Sequence, residues 1–108
     1  MPEEILVAFS TFPDAETARR IAEKLIEENF VACANITTQV ESVYRWHGKI
    51  ETGKETVVLF KLGANRYAAF ENKLRSLHPY EVPEIIALPV THGSPDYLRW
   101  VVENCASL

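Results

Sequence analysis

Hydrophobic and polar positions along this chain follow two different periods, and the changes between them mark out the fold. Ile5–Ser10 (ILVAFS) is an unbroken apolar run with β-branched and aromatic members, the length of a buried strand. Residues 11–14 (TFPD) interrupt it, and Asp14 stands where a carboxylate can accept the free N–H groups of a helix's first turn. Ala18, Ile21, Ala22, Leu25 and Ile26 then recur at three- and four-residue steps. Glu16, Arg19, Arg20, Glu23, Lys24 and Glu27 fill the opposite face, which predicts an amphipathic helix.

From Val31 the period becomes two. Ile36, Thr38, Val40, Ser42, Tyr44 and Trp46 are expected on one face of a long strand, with Thr37, Gln39, Glu41, Val43 and Arg45 on the other. His47–Gly48 permits a tight reversal. Residues 49–51 return, 52–54 (TGK) bend again, and Glu55–Leu62 reads as a second strong strand, giving a long, kinked hairpin. In residues 63–77, Tyr67, Phe70, Leu74 and Leu77 take up helical spacing, and this helix must stop by His78, because Pro79 pushes its predecessor out of the α region. Residues 84–88 (EIIAL) form a fourth strand, with Pro89 at its end or on a sheet edge. A last helix opens with Ser94 as cap and Pro95 at the first helical position, burying Leu98, Val101, Val102 and Cys105.

The order β-α-β-β-α-β plus a C-terminal helix leaves few arrangements. The simplest is one domain, 1–108, of ferredoxin-like α+β class: four antiparallel strands with the two central helices on one face. One short terminal helix cannot cover the other face, so self-association is expected.

Composition narrows the function classes. A net charge of −4 over 108 residues gives no basic footprint for nucleic acid. Two cysteines, Cys33 and Cys105, are too few for a disulfide scaffold and read as reduced thiols of a cytoplasmic protein. The acidic start, residues 1–10, resembles neither a signal peptide nor a membrane span.

Candidate chemistry is sparse. Gly48–Glu55 fits G-x-x-x-x-G-K, but glutamate follows the lysine where a P-loop needs serine or threonine, and a strand follows where a P-loop needs a helix. No G-x-S-x-G elbow is present and Cys33 has no charged neighbour, so no catalytic residue is assigned and the chain is not expected to be an enzyme. His78, with Glu81 and Glu84, forms a candidate metal site in the stretch HPYEVPEIIALPV (78–90). The competing reading makes that stretch a rigid entry into the fourth strand, with Pro79 and Pro83 fixing the backbone, His78 bonding the helix end and Tyr80 packing over the sheet. Tyr44, Arg45 and Trp46 at the hairpin tip have the composition of an interface.

Taken in order, ACANI (32–36), SVYRWHGKIE (42–51), HPYEVPEIIALPV (78–90) and YLRW (97–100) resemble the CutA-type divalent-cation tolerance family over nearly the whole chain. The resemblance implies a homotrimer of PII-like architecture, with hairpin strands reaching across to neighbouring subunits. Tyr44, Arg45, Trp46, Lys49, Tyr80 and Trp100 are then expected at the interfaces. It also implies an association with copper and other divalent cations; copper or zinc, weakly held and not required, is the expectation for this chain. Copper ligands proposed in some members carry over by position to Ser10, Leu77 and His78, of which only His78 is a good ligand. A PII-like module binding a small anionic effector through Arg45, Lys49 or Lys54 is the second expectation.

Overall fold

The computed structural model describes residues 4–106. Met1–Glu3 of the acidic start, and Ser107 and Leu108 of the expected 1–108 domain, lie outside the described residues. The elements are β1 (Ile5–Phe12), α1 (Ala15–Glu27), β2 (Cys33–Trp46), β3 (Lys49–Gly63), a 3₁₀ turn (Ala64–Arg66), α2 (Tyr67–Leu77), β4 (Ile86–Pro89) and α3 (Pro95–Glu103). The strands form one sheet in the order β2-β3-β1-β4, and every neighbouring pair is antiparallel. This is the expected α+β ferredoxin-like sandwich.

The helix ends follow local chemistry. Asp14 Oδ1 accepts the Thr17 N–H at 2.7 Å, capping α1. At the other end Asn29 takes a left-handed conformation (φ 61°). The Phe30 and Asn29 amides reach back to the Leu25 and Ile26 carbonyls, which closes the helix in a Schellman motif. α2 stops at Leu77, and His78 is already extended (φ −74°, ψ 135°) ahead of Pro79. Pro95 opens α3 as expected, but the Ser94 hydroxyl makes no capping bond; α3 starts on the proline's fixed φ and on the Leu98 N–H to Ser94 carbonyl bond.

The core lies between the sheet and the α1/α2 layer. Ala8, Ser10 and Phe12 of β1 stand opposite Phe60, Val58 and Thr56 of β3, and all six are buried. Ala18, Ile21, Ala22 and Leu25 close over them from α1, and Phe70 and Leu74 from α2. Phe60 and Phe70 meet edge-on with ring centroids 5.3 Å apart. α3 covers one end of the opposite face. Cys33, which pairs with Lys61 on that face, lies 3.6 Å from the Tyr97 hydroxyl, and the Gly63 amide donates to the Cys105 thiol at 3.1 Å. Neither cysteine is in a disulfide.

Beyond α3 that face is open. Val7, Phe9, Val57 and Leu59 are half-buried. Beside them, Leu88 and Ile86 of β4, paired with Val7 and Phe9, are 57% and 53% exposed. Six apolar side chains therefore share one continuous, incompletely covered surface.

Two expectations for the hairpin are corrected. Residues 52–54 do not bend the chain: β3 runs continuously from Lys49 to Gly63, and Gly53 is accommodated within it. The irregularity falls in β2 instead. Ile36 pairs with Val58, but Gln39 pairs with Thr56, so β2 carries one extra residue between them. The Thr37 hydroxyl accepts the Val57 N–H at 3.1 Å, satisfying an amide where the ladder is interrupted. Because side chains alternate, one extra residue exchanges the faces of everything beyond it. Ile36 stays on the core side, whereas Val40, Ser42, Tyr44 and Trp46 stand opposite Glu55, Gly53, Glu51 and Lys49 on the other side. They are not on the Ile36 face, as unbroken alternation predicted.

The reversal is a two-residue loop between the paired Trp46 and Lys49. His47 (φ 49°) and Gly48 (φ 79°) both have positive φ, the pattern of a type I′ turn.

Thr37→Val should leave the Val57 amide without its partner. We expect a loss of about 1–2 kcal/mol by denaturant unfolding, with faster hydrogen exchange at Val57. Unchanged protection of that amide would show that the hydroxyl does not hold the bulge.

Candidate functional site

Four segments converge on an open cleft of about 810 Å³: the end of β1, the two hairpin strands, and the loop after α2. Thr11 and Pro13 line it from the first, Ser42, Val43, Tyr44 and Trp46 from β2, and Gly53, Lys54 and Glu55 from β3. The loop supplies Pro79, Tyr80, Glu81, Val82 and Glu84. A long two-stranded hairpin and a proline-stiffened loop make its walls, so its shape rests on backbone with little freedom to collapse.

Beneath this loop His78 acts as a structural pin. Its ring stacks on Phe12 at 4.7 Å and lies 4.9 Å from the Tyr80 ring. Its Nδ1 accepts the Tyr80 backbone N–H at 3.2 Å, and its Nε2 lies 2.8 Å from the Thr11 carbonyl oxygen. A nitrogen that accepts an N–H carries no proton, so Nε2 holds it and donates to Thr11. Both nitrogens are occupied. Burial pushes the imidazole below its ordinary pKa, against the smaller opposing effects of the Thr11 carbonyl and the Glu55 carboxylate.

Above the pin, the Tyr80 hydroxyl donates to Glu55 Oε2 at 2.7 Å. Burial, then this bond and the carboxylate's charge, raise the phenol far above its usual range, so Tyr80 remains a donor at any physiological pH. In the sequence Glu55 stands out only as the residue that breaks the P-loop pattern, not as a cleft residue. It stands 25 residues from Tyr80, and no local pattern links a strand glutamate to a loop tyrosine; only the fold brings them together.

The sequence-predicted residues distribute as follows. Glu81 and Glu84 are exposed on the cleft rim, whereas His78 is buried with both nitrogens engaged, so the three do not assemble into one coordination sphere within the chain. Among the described residues no group of three or more histidine, cysteine, aspartate or glutamate side chains is placed to hold a metal ion. Of the positions carried over from the family resemblance, Ser10 is fully buried on the core side. Its Oγ has no hydrogen-bond partner among the described residues. Leu77 packs against the core. As the rigid-entry reading of residues 78–90 expects, His78 bonds the helix end, its amide donating to the Leu74 carbonyl.

The expected interface residues do not form one patch within a chain. Tyr44, Trp46 and Lys49 sit on the outward side of the hairpin, with Arg45 on its other side. Tyr80 lines the cleft together with Tyr44 and Trp46, whereas Arg45 and Lys49 are not among its lining residues. Trp100 is on α3, stacked with Tyr97 at 5.8 Å, and α3 reaches the sheet near Cys33, at the far end of β2 from the tip. Gly48–Glu55, the near-match to a P-loop, lies in the turn and β3, with no helix N-terminus after it.

His78 yields a pH test. The folded imidazole resists protonation, so the unfolded chain, with an ordinary value of about 6.5, binds the proton first. Its contribution is therefore fully present above about pH 6.5 and is lost as pH falls toward the depressed folded value. His78→Asn keeps a side-chain acceptor for the Tyr80 amide but does not titrate. The decline in denaturant midpoint from pH 7 to pH 5 should be shallower in this variant, and an identical decline would exclude His78 as its source.

Comparison with known proteins accords with this architecture. The family model described as CutA1 divalent ion tolerance protein matches residues 6–104. The divalent-cation tolerance protein CutA of Thermus thermophilus is 40% identical over 104 residues, 96% of this chain and 98% of that protein. The mouse protein CutA is 42% identical over 94% of this chain, which spans only 57% of the mouse protein. Among solved structures, CutA1 of rice (Oryza sativa) superposes with a TM-score of 0.94 at 34% identity, covering 97% of this chain and 96% of that one. The Thermus thermophilus structure gives 0.92 at 39%, covering 94% and 99%. A CutA structure from Archaeoglobus fulgidus, with a TM-score of 0.91, is described as periplasmic. No helix among the described residues is long and apolar enough to cross a membrane. With the family model covering residues 6–104 and the Thermus thermophilus relative 40% identical over 98% of its own length, the chain belongs to the CutA1 divalent ion tolerance family.

Proposed function

We propose that this chain works in the cytoplasm as a homotrimer that binds divalent cations weakly and catalyses no reaction. The observation that carries this reading is the cleft beside the open sheet face. Three carboxylates, Glu55, Glu81 and Glu84, line it against the single amine of Lys54. Such a surface concentrates cations. The apolar face formed by Val7, Phe9, Val57, Leu59, Ile86 and Leu88 supplies a reason for copies to associate. In a rotationally symmetric assembly the hairpin tip of one copy meets a different region of the next, which accommodates the separation of Trp46 from Trp100.

The donor chemistry sets the strength. A tight copper site needs converging nitrogen or sulfur ligands, and here the imidazole of His78 is committed to Thr11 and Tyr80. Copper or zinc is therefore held mainly by Glu81 and Glu84, with His78 behind them fixing the loop. Oxygen donors contributed by a neighbouring copy complete the coordination. The effector reading, with Arg45, Lys49 or Lys54 gripping an anion, fits less well. Of the three only Lys54 lines the cleft, and the carboxylates there outnumber it.

Thermal unfolding of metal-stripped protein titrated with copper or zinc tests this. At tenfold excess over its dissociation constant a cation should stabilise by about 1.4 kcal/mol. The paired change Glu81→Gln and Glu84→Gln should abolish that shift. His78→Ala should lower the starting midpoint and keep the shift. A shift that survives the glutamate changes and vanishes in His78→Ala would overturn the carboxylate assignment, and a shift produced only by nucleotides would favour the anionic-effector reading.

A further inference from the structure

We propose that the cleft is a binding site for a small organic polycation of the linear polyamine class. The proposal rests on the reading of the cleft as a cation site and names a ligand that its size and lining fit better than a bare ion. An opening of about 810 Å³ lies within the range of small-molecule sites, roughly 300–1,000 Å³. A dehydrated metal ion needs several ligands converging within bonding distance; the described residues of one chain offer no group of three or more, so a metal there depends on donors from a neighbouring copy.

The walls supply two kinds of contact. Tyr44, Trp46 and Tyr80 bring three aromatic side chains to one cleft, and aromatic faces attract ammonium groups. Carboxylates come from two elements, Glu55 on β3 and Glu81 with Glu84 on the loop after α2, so negative charge is spread over the cleft instead of focused at one point. Val43 and Val82 add apolar surface alongside. A linear polyamine alternates ammonium groups with short methylene segments. Its charges can pair with the separated carboxylates while its methylenes lie on the apolar and aromatic surface. An inorganic divalent ion cannot use that surface, and an anion is opposed by the charge.

The Tyr80–Glu55 hydrogen bond has a place in this arrangement. It uses the Tyr80 hydroxyl to fix the Glu55 carboxylate at 2.7 Å, so one ligand-facing charge is positioned before any ligand arrives.

Isothermal titration of the full chain with spermidine, and separately with zinc chloride and inorganic phosphate, tests the proposal. Spermidine should bind saturably, one per chain, with affinity that falls as salt is raised. The paired change Glu81→Gln and Glu84→Gln, at two exposed positions where the fold is not at risk, should weaken it by about tenfold or more. Tyr80→Phe keeps the ring and loses the bond to Glu55, and should weaken it by several-fold. If spermidine gives no saturable heat, or binds the glutamate variant equally well, the proposal is overturned. Zinc binding with spermidine silent overturns the polyamine site and leaves the divalent-cation reading standing. Spermidine binding with zinc silent supports the polyamine site and removes the divalent-cation reading. Binding of phosphate alone overturns both.

Discussion

One extra residue in β2, held where the Thr37 hydroxyl accepts the Val57 amide, decides what the outer half of this molecule presents. Before the bulge, Ala34 and Ile36 face the core; after it, Val40, Ser42, Tyr44 and Trp46 face the opposite side of the sheet. Had the strand alternated without interruption, the two large aromatics of the hairpin would project from the helix-covered side, away from the open apolar face. The cleft would then lose Ser42, Tyr44 and Trp46 from its β2 wall. Sheet register is an all-or-none variable, since a shift of one residue moves every later side chain across the sheet. A single extra residue thus sets the face of a surface nine residues away.

The second constraint is incomplete cover. Two helices and α3 are enough to bury one face of a four-stranded sheet and one end of the other. Ile86 and Leu88 remain more than half exposed in a chain whose main core is closed to water. Burying a large aliphatic side chain fully contributes about 1.5–3 kcal/mol, so covering this face with copies of the same chain, as proposed, would stabilise the fold and the assembly together. The cleft follows from the same geometry. It forms where the hairpin leaves the body of the domain and the HPYEVPE loop passes the end of β1, and His78 anchors that loop from below without offering a nitrogen to solvent.

Much of this was legible in the sequence. Helical spacing located Ile21, Leu25, Phe70 and Leu74, all now in the core. His47–Gly48 marked the hairpin turn, and Pro79 marked the end of α2. The bulge was not legible, because Thr37 and Thr38 are good strand residues with no glycine to flag an irregularity, whereas Gly53 suggested a bend that the paired strands simply absorb. The role of His78 was half-visible. Its place before a proline showed that it ends a helix, but the orientation of its ring depends on Thr11, 67 residues earlier. Glu55 was hidden for the same reason: its partner is chosen by the tertiary fold. Contacts that cross between elements are where periodicity carries no information.

The proposed cover for the open face of the sheet is further copies of this chain. Sedimentation equilibrium of the metal-free protein over a wide concentration range tests it most directly. A single species of three times the chain mass that persists on dilution is expected. A particle of one chain mass at all concentrations, with Ile86 and Leu88 left in water, would contradict it.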